Sequence, residues 1–161
     1  MSQFIFPIRK APLVLSLLVL FFSKWALADS LPVVESLDLL AAGKLASSAG
    51  LNVEPNRTES GSEYLSTVVH QSSSALMLLD CDNGQCGIIR FVSILDQQSI
   101  GLSIINAWNS SYRYGRVYQQ TDGKVIIEAD LLLHGGVTQQ VVLQFLRRQN
   151  LLVESLEKMI K

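Results

Sequence analysis

The stretch that decides the fold runs from Asp96 to Val137 and reads DQQSIGLSIINAWNSSYRYGRVYQQTDGKVIIEADLLLHGGV. Its first part places apolar residues at helical spacing, and its middle is rich in β-branched and aromatic residues on both sides of Asp122-Gly123. The Gly135-Gly136 pair then breaks the pattern before another helical run. We therefore expect a short helix capped by Asp96, a β-hairpin and a last helix. The buried side of the short helix is predicted to carry Ile100, Ile104, Ile105 and Trp108.

The register of the hairpin depends on the length of its turn. A two-residue turn would place Arg116 opposite Ala129, whereas a three-residue turn with Gly123 as the bulge residue would place it opposite Glu128. We predict the second register, because it separates apolar from charged side chains and sets opposite charges side by side. This register also pairs Tyr114 with Asp130 and gathers Gly115, Val117, Ile127 and Ala129 on one apolar face.

The first 28 residues have the pattern of a secretory signal peptide. Arg9 and Lys10 precede an apolar run over residues 11–22, and Ala26-Leu27-Ala28 then offers small residues at a cleavage position. The run is shorter than the roughly 20 residues that a membrane-spanning helix needs, so a retained anchor is the alternative. Cleavage after Ala28 leaves residues 29–161 as a single exported domain, periplasmic or secreted and without a membrane segment.

The charge of the mature chain argues against nucleic acid as a partner. The leader carries three basic residues and no acidic one, so its removal leaves ten bases against 14 acids. A surface for nucleic acid needs clustered cations, and the only adjacent basic pair is Arg147-Arg148.

The elements before the deciding stretch follow from spacing and turn residues. Helix one is predicted over Val34 to Ala49, with Gly50 after its end. A short strand and a loop over residues 52–62 follow, and then an antiparallel meander of three strands. The apolar residues of helix one are Leu37, Leu40, Ala41, Leu45 and Ala49, and the strands are predicted at Tyr64–His70, Ala75–Cys81 and Gly87–Ser93.

The closing helix is predicted to begin with Thr138 as its N-cap. Its apolar stripe is broader than one face of a small sheet readily covers, so we expect part of it to bind a second copy or another protein. Leu152→Glu or Met159→Glu would separate core from interface, because an interface residue would dissociate the oligomer and a core residue would unfold the domain. The stripe consists of Val142, Phe145, Leu146, Leu152, Val153, Leu156 and Ile160, with Leu151 and Met159 widening it. The whole order is α-β-β-β-β-α-β-β-α, an α+β fold with helices packed on an antiparallel sheet.

Cys81 and Cys86 are predicted to form a structural disulfide. They flank a four-residue turn of a predicted hairpin, and export places them in an oxidising compartment. A redox pair and a zinc site are the alternatives, but thioredoxin-like sites use two intervening residues, and the other zinc ligands are missing.

The sequence contains no catalytic constellation. His70 and His134 stand in no nucleophile or metal motif, and no phosphate-binding glycine loop occurs. The carboxylate pairs Asp80 with Asp82 and Glu128 with Asp130 are interpreted as solvated acids. We therefore expect no cofactor and no metal, and no enzyme activity is predicted.

The Trp108-Asn109 dipeptide leaves two roles open. In the first, Trp108 fills the space between helix and sheet and Asn109 is a left-handed cap at the helix end. In the second, the end of the short helix around Trp108, which we call the Trp108 corner, recognises a ligand through the amide groups of Asn106 and Asn109 beside the aromatic ring. The candidate recognition residues are Asn106, Trp108, Asn109, Arg113 and Arg116.

Several short motifs of the sequence resemble those of the YbjN-type bacterial proteins, described as putative sensory transduction regulators. They are the cysteine pair of Leu78-Leu79-Asp80-Cys81 and Cys86, the motif Ile105-Asn106-Ala107-Trp108-Asn109, the residues Arg113 and Arg116, the dipeptide Asp122-Gly123, and Asp130-Leu131 followed by Gly135-Gly136-Val137. The resemblance covers about residues 34–160 and implies a fold similar to that of type III secretion chaperones. It brings no catalytic residues, and the secretory leader is a departure from the leaderless members.

Two function classes follow. The favoured one is an exported, non-enzymatic interaction or chaperone-like regulatory protein that binds a protein partner or a second copy of itself. The alternative is a small-molecule-binding or catalytic protein whose site lies at the Trp108 corner.

Overall fold

The structure, a computed structural model, describes residues 32–98 and 100–160. The predicted signal peptide lies outside the described residues. The helices and strands follow the predicted order, with two additional short strands that pair with each other. The helices are α1 (Leu39–Ser48), α2 (Leu102–Ser111) and α3 (Gln139–Ile160), and the strands are β1 (Val33–Val34), β2 (Glu54–Arg57), β3 (Glu63–Val69), β4 (Ser72–Asp82), β5 (Gln85–Gln98), β6 (Arg116–Gln119), β7 (Lys124–Leu132) and β8 (Val137–Thr138).

Six of the strands form one antiparallel sheet in the order β2-β3-β4-β5-β7-β6, with helices packed on it. Alternate residues of β3 and of the middle of β4 and β5 join the core, as a period of two requires, whereas β7 is buried at five consecutive residues. The predicted α+β class is therefore confirmed. The core side chains of the sheet include Leu65, Leu76, Ile89, Phe91, Val125 and Ile127.

The two hairpins of the meander turn more tightly than predicted. β4 begins at Ser72, opposite Val69, so that only His70 and Gln71 remain for the turn. Ser74, which we expected in the turn, is buried in the strand with its Oγ 2.9 Å from Oγ of Ser93. A serine-rich segment can continue a strand when its hydroxyl groups find buried partners.

The second hairpin turns at Asn83-Gly84, and both residues have positive φ. This two-residue turn matches the twist of the flanking strands. The four-residue turn predicted between Cys81 and Cys86 is therefore wrong, although the two cysteines are paired across the strands.

Two helix starts also differ from prediction. Helix α1 begins at Leu39 rather than Val34, because Asp38 caps it by accepting a hydrogen bond from Ala41 N–H at 2.7 Å. Leu40, expected on its buried side, is exposed. The helix start predicted at Asp96 is wrong, since the backbone of β5 runs through this position to Gln98, and α2 starts after Gly101.

Helix α3 begins as predicted, with Thr138 Oγ1 accepting from Val141 N–H at 3.4 Å. Most of its apolar stripe is core. Leu152, for which core and interface were both open, is only 5% exposed and belongs to the core. The exposed apolar residues of α3 are Val141, Leu151 and Met159.

Candidate functional site

Trp108 packs inside the protein. The residue has no exposed surface, and its ring stacks on Tyr112 with the centroids 5.0 Å apart. The indole Nε1 donates a hydrogen bond to Oγ of Ser155 on α3 at 3.1 Å, which satisfies its only polar group. Of the two roles predicted for Trp108, the structure shows packing, and the residue offers no surface to a ligand at that corner.

Asn109 joins α2 to the hairpin. Its Nδ2 donates to the carbonyl of Val117 at 2.9 Å, and Val117 N–H donates to its Oδ1 at 2.8 Å. The predicted left-handed cap is wrong, because Asn109 lies inside α2 and the positive φ occurs later, at Tyr114. An amide side chain presents one donor and one acceptor together, so it can bond the backbone of β6 as a neighbouring strand would.

The predicted hairpin register is confirmed at Arg116, which lies opposite Glu128. The turn has three residues, because Gln120 N–H donates to the carbonyl of Lys124 at 2.9 Å and Gly123 has a φ of 90°. The expected pairing of Tyr114 with Asp130 is wrong. Tyr114 has a φ of 71°, and the ladder between β6 and β7 ends at Arg116.

Glu128 is the centre of an ionic cluster that also contains Arg90, Arg116, Tyr118 and Asp130. Its side chain is only 5% exposed, so the prediction of a solvated acid is wrong for this residue. Oε1 accepts a hydrogen bond from Arg116 at 2.9 Å and forms an ion pair with Nε of Arg90, also 2.9 Å away, and Oε2 accepts from the Tyr118 hydroxyl at 2.9 Å. Two cations and a phenol therefore compensate one buried carboxylate.

The sequence analysis named neither Tyr118 nor Arg90 among the members of the ionic cluster, and Arg90 is the more distant of the two in sequence. It comes from β5, and its guanidinium holds the Asp130 carboxylate through two hydrogen bonds of 2.7 Å. A lone cation in the apolar run Ile88–Ile94 is the signal that could have found it, because β5 lies beside β7 in the sheet. Its position opposite Asp130 follows only from the strand register.

The ionic cluster shifts the pKa values of its members. The hydrogen bonds from Arg90 lower the pKa of Asp130 below its ordinary value, and the same bonds raise the pKa of Arg90. Burial, together with the hydrogen bond to Glu128, raises the pKa of Tyr118. These shifts keep Arg90 and Asp130 charged and Tyr118 neutral near pH 7.

A groove of about 410 Å³ lies beside this cluster, between β7 and α3. We call it the β7–α3 groove. Residues 114–116 and 128–131 form one side, and Val141, Gln144, Phe145 and Arg148 of α3 form the other. The guanidinium of Arg148 stacks over the ring of Tyr114 at 4.3 Å from its centroid. The groove therefore combines apolar walls with cationic groups.

A short length of unpaired strand begins at the groove, with Asp130 in the groove lining and Leu132 directly after Leu131, the last residue of β7 that lines it. Leu133 N–H donates to the carbonyl of Gly87, the residue before the Ile88 that faces Leu132, so the odd-numbered residues of β7 bond towards β5. By alternation, the backbone groups of Asp130 and Leu132 point to the other side. On that side β6 pairs only as far as Glu128. Among the described residues, the backbone of Asp130 and Leu132 therefore meets no strand there.

The other edges of the six-stranded sheet are protected. On the outer edge of β6, Asn109 occupies the backbone groups of Val117. On the opposite edge, β2 carries Pro55 and three further polar or charged residues. A proline removes a donor from an edge strand and discourages strand addition. Within the described residues, the sheet is therefore most open at the β7–α3 groove.

The remaining predicted recognition residues do not converge on this groove. Arg116 lines it, whereas Asn106 is exposed on α2 and Arg113 is exposed in the segment after that helix. A recognition role for Asn106, Asn109, Arg113 and Arg116 stays a prediction.

The cysteines lie at disulfide distance, with Cys81 Sγ and Cys86 Sγ 2.12 Å apart. Cys86 is buried, and its backbone exchanges two hydrogen bonds with Leu37, just before α1. Near them, His134 Nε2 lies 2.6 Å from Asp80 Oδ2, and the imidazole occupies the space where a side chain on Gly87 would stand. This corner therefore ties the hairpin end to the chain before α1.

Two further observations concern the described residues, 32–98 and 100–160. No helix among them is long and apolar enough to cross a membrane. No group of three or more His, Cys, Asp or Glu side chains among them is placed to hold a metal ion.

The fold and site define a small α+β domain in which helices cover an antiparallel sheet and a charged groove lies beside an open strand. Residues 43–158 match the sequence model of the YbjN family, described as "putative bacterial sensory transduction regulator". The chain belongs to this family, as the motifs in its sequence predicted. No curated protein matches the chain significantly.

Proposed function

We propose that this chain is an exported, non-enzymatic protein-interaction module that acts as a regulator, and that the β7–α3 groove is its binding surface. The observation that carries the proposal is the open backbone of Asp130 and Leu132 beside the apolar wall of α3. An unpaired strand edge next to apolar side chains is a recurrent binding site for protein segments, because backbone hydrogen bonds and side-chain burial act together there. The family description, a regulator, is compatible with such a role.

Export is supported by two features. The leader has the charged, apolar and small-residue parts of a signal peptide. The cysteine pair lies at disulfide distance, as is common in oxidising compartments. A fold similar to that of type III secretion chaperones remains an expectation that follows from the family resemblance.

The test is affinity capture with a matched pair of variants. Val141 lines the groove and is 39% exposed, whereas Leu151 is 64% exposed on the same helix outside the groove. Tagged protein, Val141→Arg and Leu151→Arg are used to capture proteins from the periplasmic extract of the source cells, and the captured proteins are quantified by mass spectrometry. We expect a partner that the wild type and Leu151→Arg retain and Val141→Arg loses.

Circular dichroism and a thermal melt establish that both variants are folded. A partner that binds all three proteins equally would contradict the groove as the binding surface. Loss of the partner with Leu151→Arg alone would place the interface on the outer face of α3 instead.

A further inference from the structure

The charges around the β7–α3 groove do not balance within the described residues. Arg90 and Arg116 are matched by Glu128 and Asp130, through the contacts of the ionic cluster. Arg148 contacts the ring of Tyr114 but has no carboxylate within 4.0 Å among the described residues. The groove therefore carries one cation in excess, at its α3 wall.

The unpaired backbone of β7 beside the groove favours an extended ligand. Asp130 and Leu132 each present one N–H and one carbonyl on the open side, spaced as a ladder with another strand requires. Side chains of an added strand alternate between two faces, so that alternate residues would meet Val141 and Phe145. A helix or a compact small molecule would leave the spaced backbone groups unpaired.

We propose that the occupant of the groove is an extended peptide segment of another protein, which adds as a strand to β7 and places an acidic side chain on Arg148. This inference rests on the proposed function and deepens it by giving the chemistry of the partner. The apolar wall accepts alternate aliphatic side chains of the peptide, and the planar guanidinium of Arg148 accepts a carboxylate in a bidentate geometry. The ring of Tyr114 holds the guanidinium in place by stacking on it.

The probe is a phage library of random eight-residue peptides, selected on the full chain expressed with its own leader. We expect the selected peptides to alternate apolar residues and to share one Asp or Glu. Synthetic copies of one such peptide are then measured with the acidic residue present and with Gln in its place.

A double-mutant cycle tests the contact with Arg148. For the acidic peptide, Arg148→Gln is expected to weaken binding about fivefold, as one partly exposed charge-assisted contact would. For the Gln-containing peptide the same substitution changes nothing, because the coupled partner is already absent. Arg147→Gln is the matched control, since Arg147 is exposed on the same helix and does not line the groove.

Amide hydrogen exchange tests strand addition itself. Binding is expected to slow the exchange of the Asp130 and Leu132 amides, and N-methylation of alternate peptide amides should abolish binding for one set only. Selected peptides without an acidic residue, or unchanged exchange at both amides, would overturn the inference. A wild-type dimer that Val141→Arg dissociates would also overturn it, by making a second copy the occupant.

The two proposals fail in different ways. If capture of a partner depends on Val141 but peptides bind without protecting the two amides, the interaction function stands and strand addition falls. If no capture depends on Val141, the groove is not the functional surface and both proposals fall.

Discussion

Glu128 shows how one residue can acquire a role that its immediate sequence does not display. In the sequence it lies in an apolar strand, two residues before Asp130, as a solvated acid would. Only the pairing of strands in the sheet brings Arg90, Arg116 and Tyr118 around it. Its burial could not be predicted because it depends on the packing of Arg116 and Tyr118 from β6. Its pairing with Arg116 could be predicted, because charge and turn length together determined the register of the hairpin.

The first prediction concerns the loss of the charge on Glu128. Glu128→Gln leaves two guanidinium groups around a neutral side chain, and it should reduce the free energy of unfolding by about 2 kcal/mol. The effect falls below that of a fully buried pair because the side chain of Arg116 is 64% exposed. Urea unfolding measures it. Asp122→Asn removes an exposed charge beside Lys124 and should leave the stability almost unchanged, and equal effects of the two substitutions would contradict the burial of Glu128.

The second prediction concerns Asp130 and pH. Arg90 lowers the pKa of Asp130 in the folded state, so the folded protein takes up this proton less readily than the unfolded chain. The contribution to stability is therefore present above the unfolded pKa of about 4, and it is lost as the pH falls through the folded value. Urea unfolding of wild type and Asp130→Asn between neutral and acidic pH should show a difference that shrinks in acid. A difference that stays constant with pH would contradict the ion pair.

At the scale of elements, the order and type of the helices and strands were predictable, but several boundaries were not. Periodicity identified α3, because it buries one regular face, and β-branched residues around Asp122-Gly123 identified the hairpin. Periodicity did not predict the end of β5, since this strand continues to Gln98, which pairs with Lys124 past an irregularity in the ladder. The charged groove was also hidden, because it needs the register of β5 and β7 together with the position of α3.

The third prediction concerns the link between α2 and β6. Asn109→Ala removes both hydrogen bonds to Val117 and should reduce the free energy of unfolding by about 2 kcal/mol. Hydrogen exchange at the Val117 amide should become faster. Asn106→Ala is the control, because Asn106 is exposed one turn earlier on the same helix. An unchanged Val117 amide in Asn109→Ala would show that β6 does not depend on this link.

The fourth prediction separates the two faces of α3. Leu152 is buried beside Trp108 and Gly115, so Leu152→Glu places a charge in the core and should unfold the domain, with a loss above about 4 kcal/mol. Leu151→Glu changes an exposed neighbour and should alter stability by less than about 0.5 kcal/mol. Thermal melts measure both. A folded Leu152→Glu protein would contradict the packing of α3 on the sheet.

At the scale of the whole molecule, the Cys81–Cys86 hairpin connects the sheet to the chain before α1. Cys86 is paired with Cys81 through its side chain and with Leu37 through its backbone. A cross-link here restricts the unfolded chain and also holds the entry of α1 against the sheet. This arrangement relates the predicted export to stability, because the bond forms readily only outside the reducing cytoplasm.

The fifth prediction follows from that relation. Protein recovered after export should have an intact mass lower by two hydrogens than its reduced form, and should resist alkylation without a reductant. Replacing both cysteines by serine should reduce the free energy of unfolding by about 2 kcal/mol, as expected for a short closed loop. Because Leu37 bonds to the backbone of Cys86, hydrogen exchange at the Leu37 amide should become faster in that variant, while the Val117 amide at the far side of the sheet keeps its rate. Free thiols in the exported protein would contradict the cross-link, and equal loosening of both amides would show that it stabilises the domain without a local role at α1.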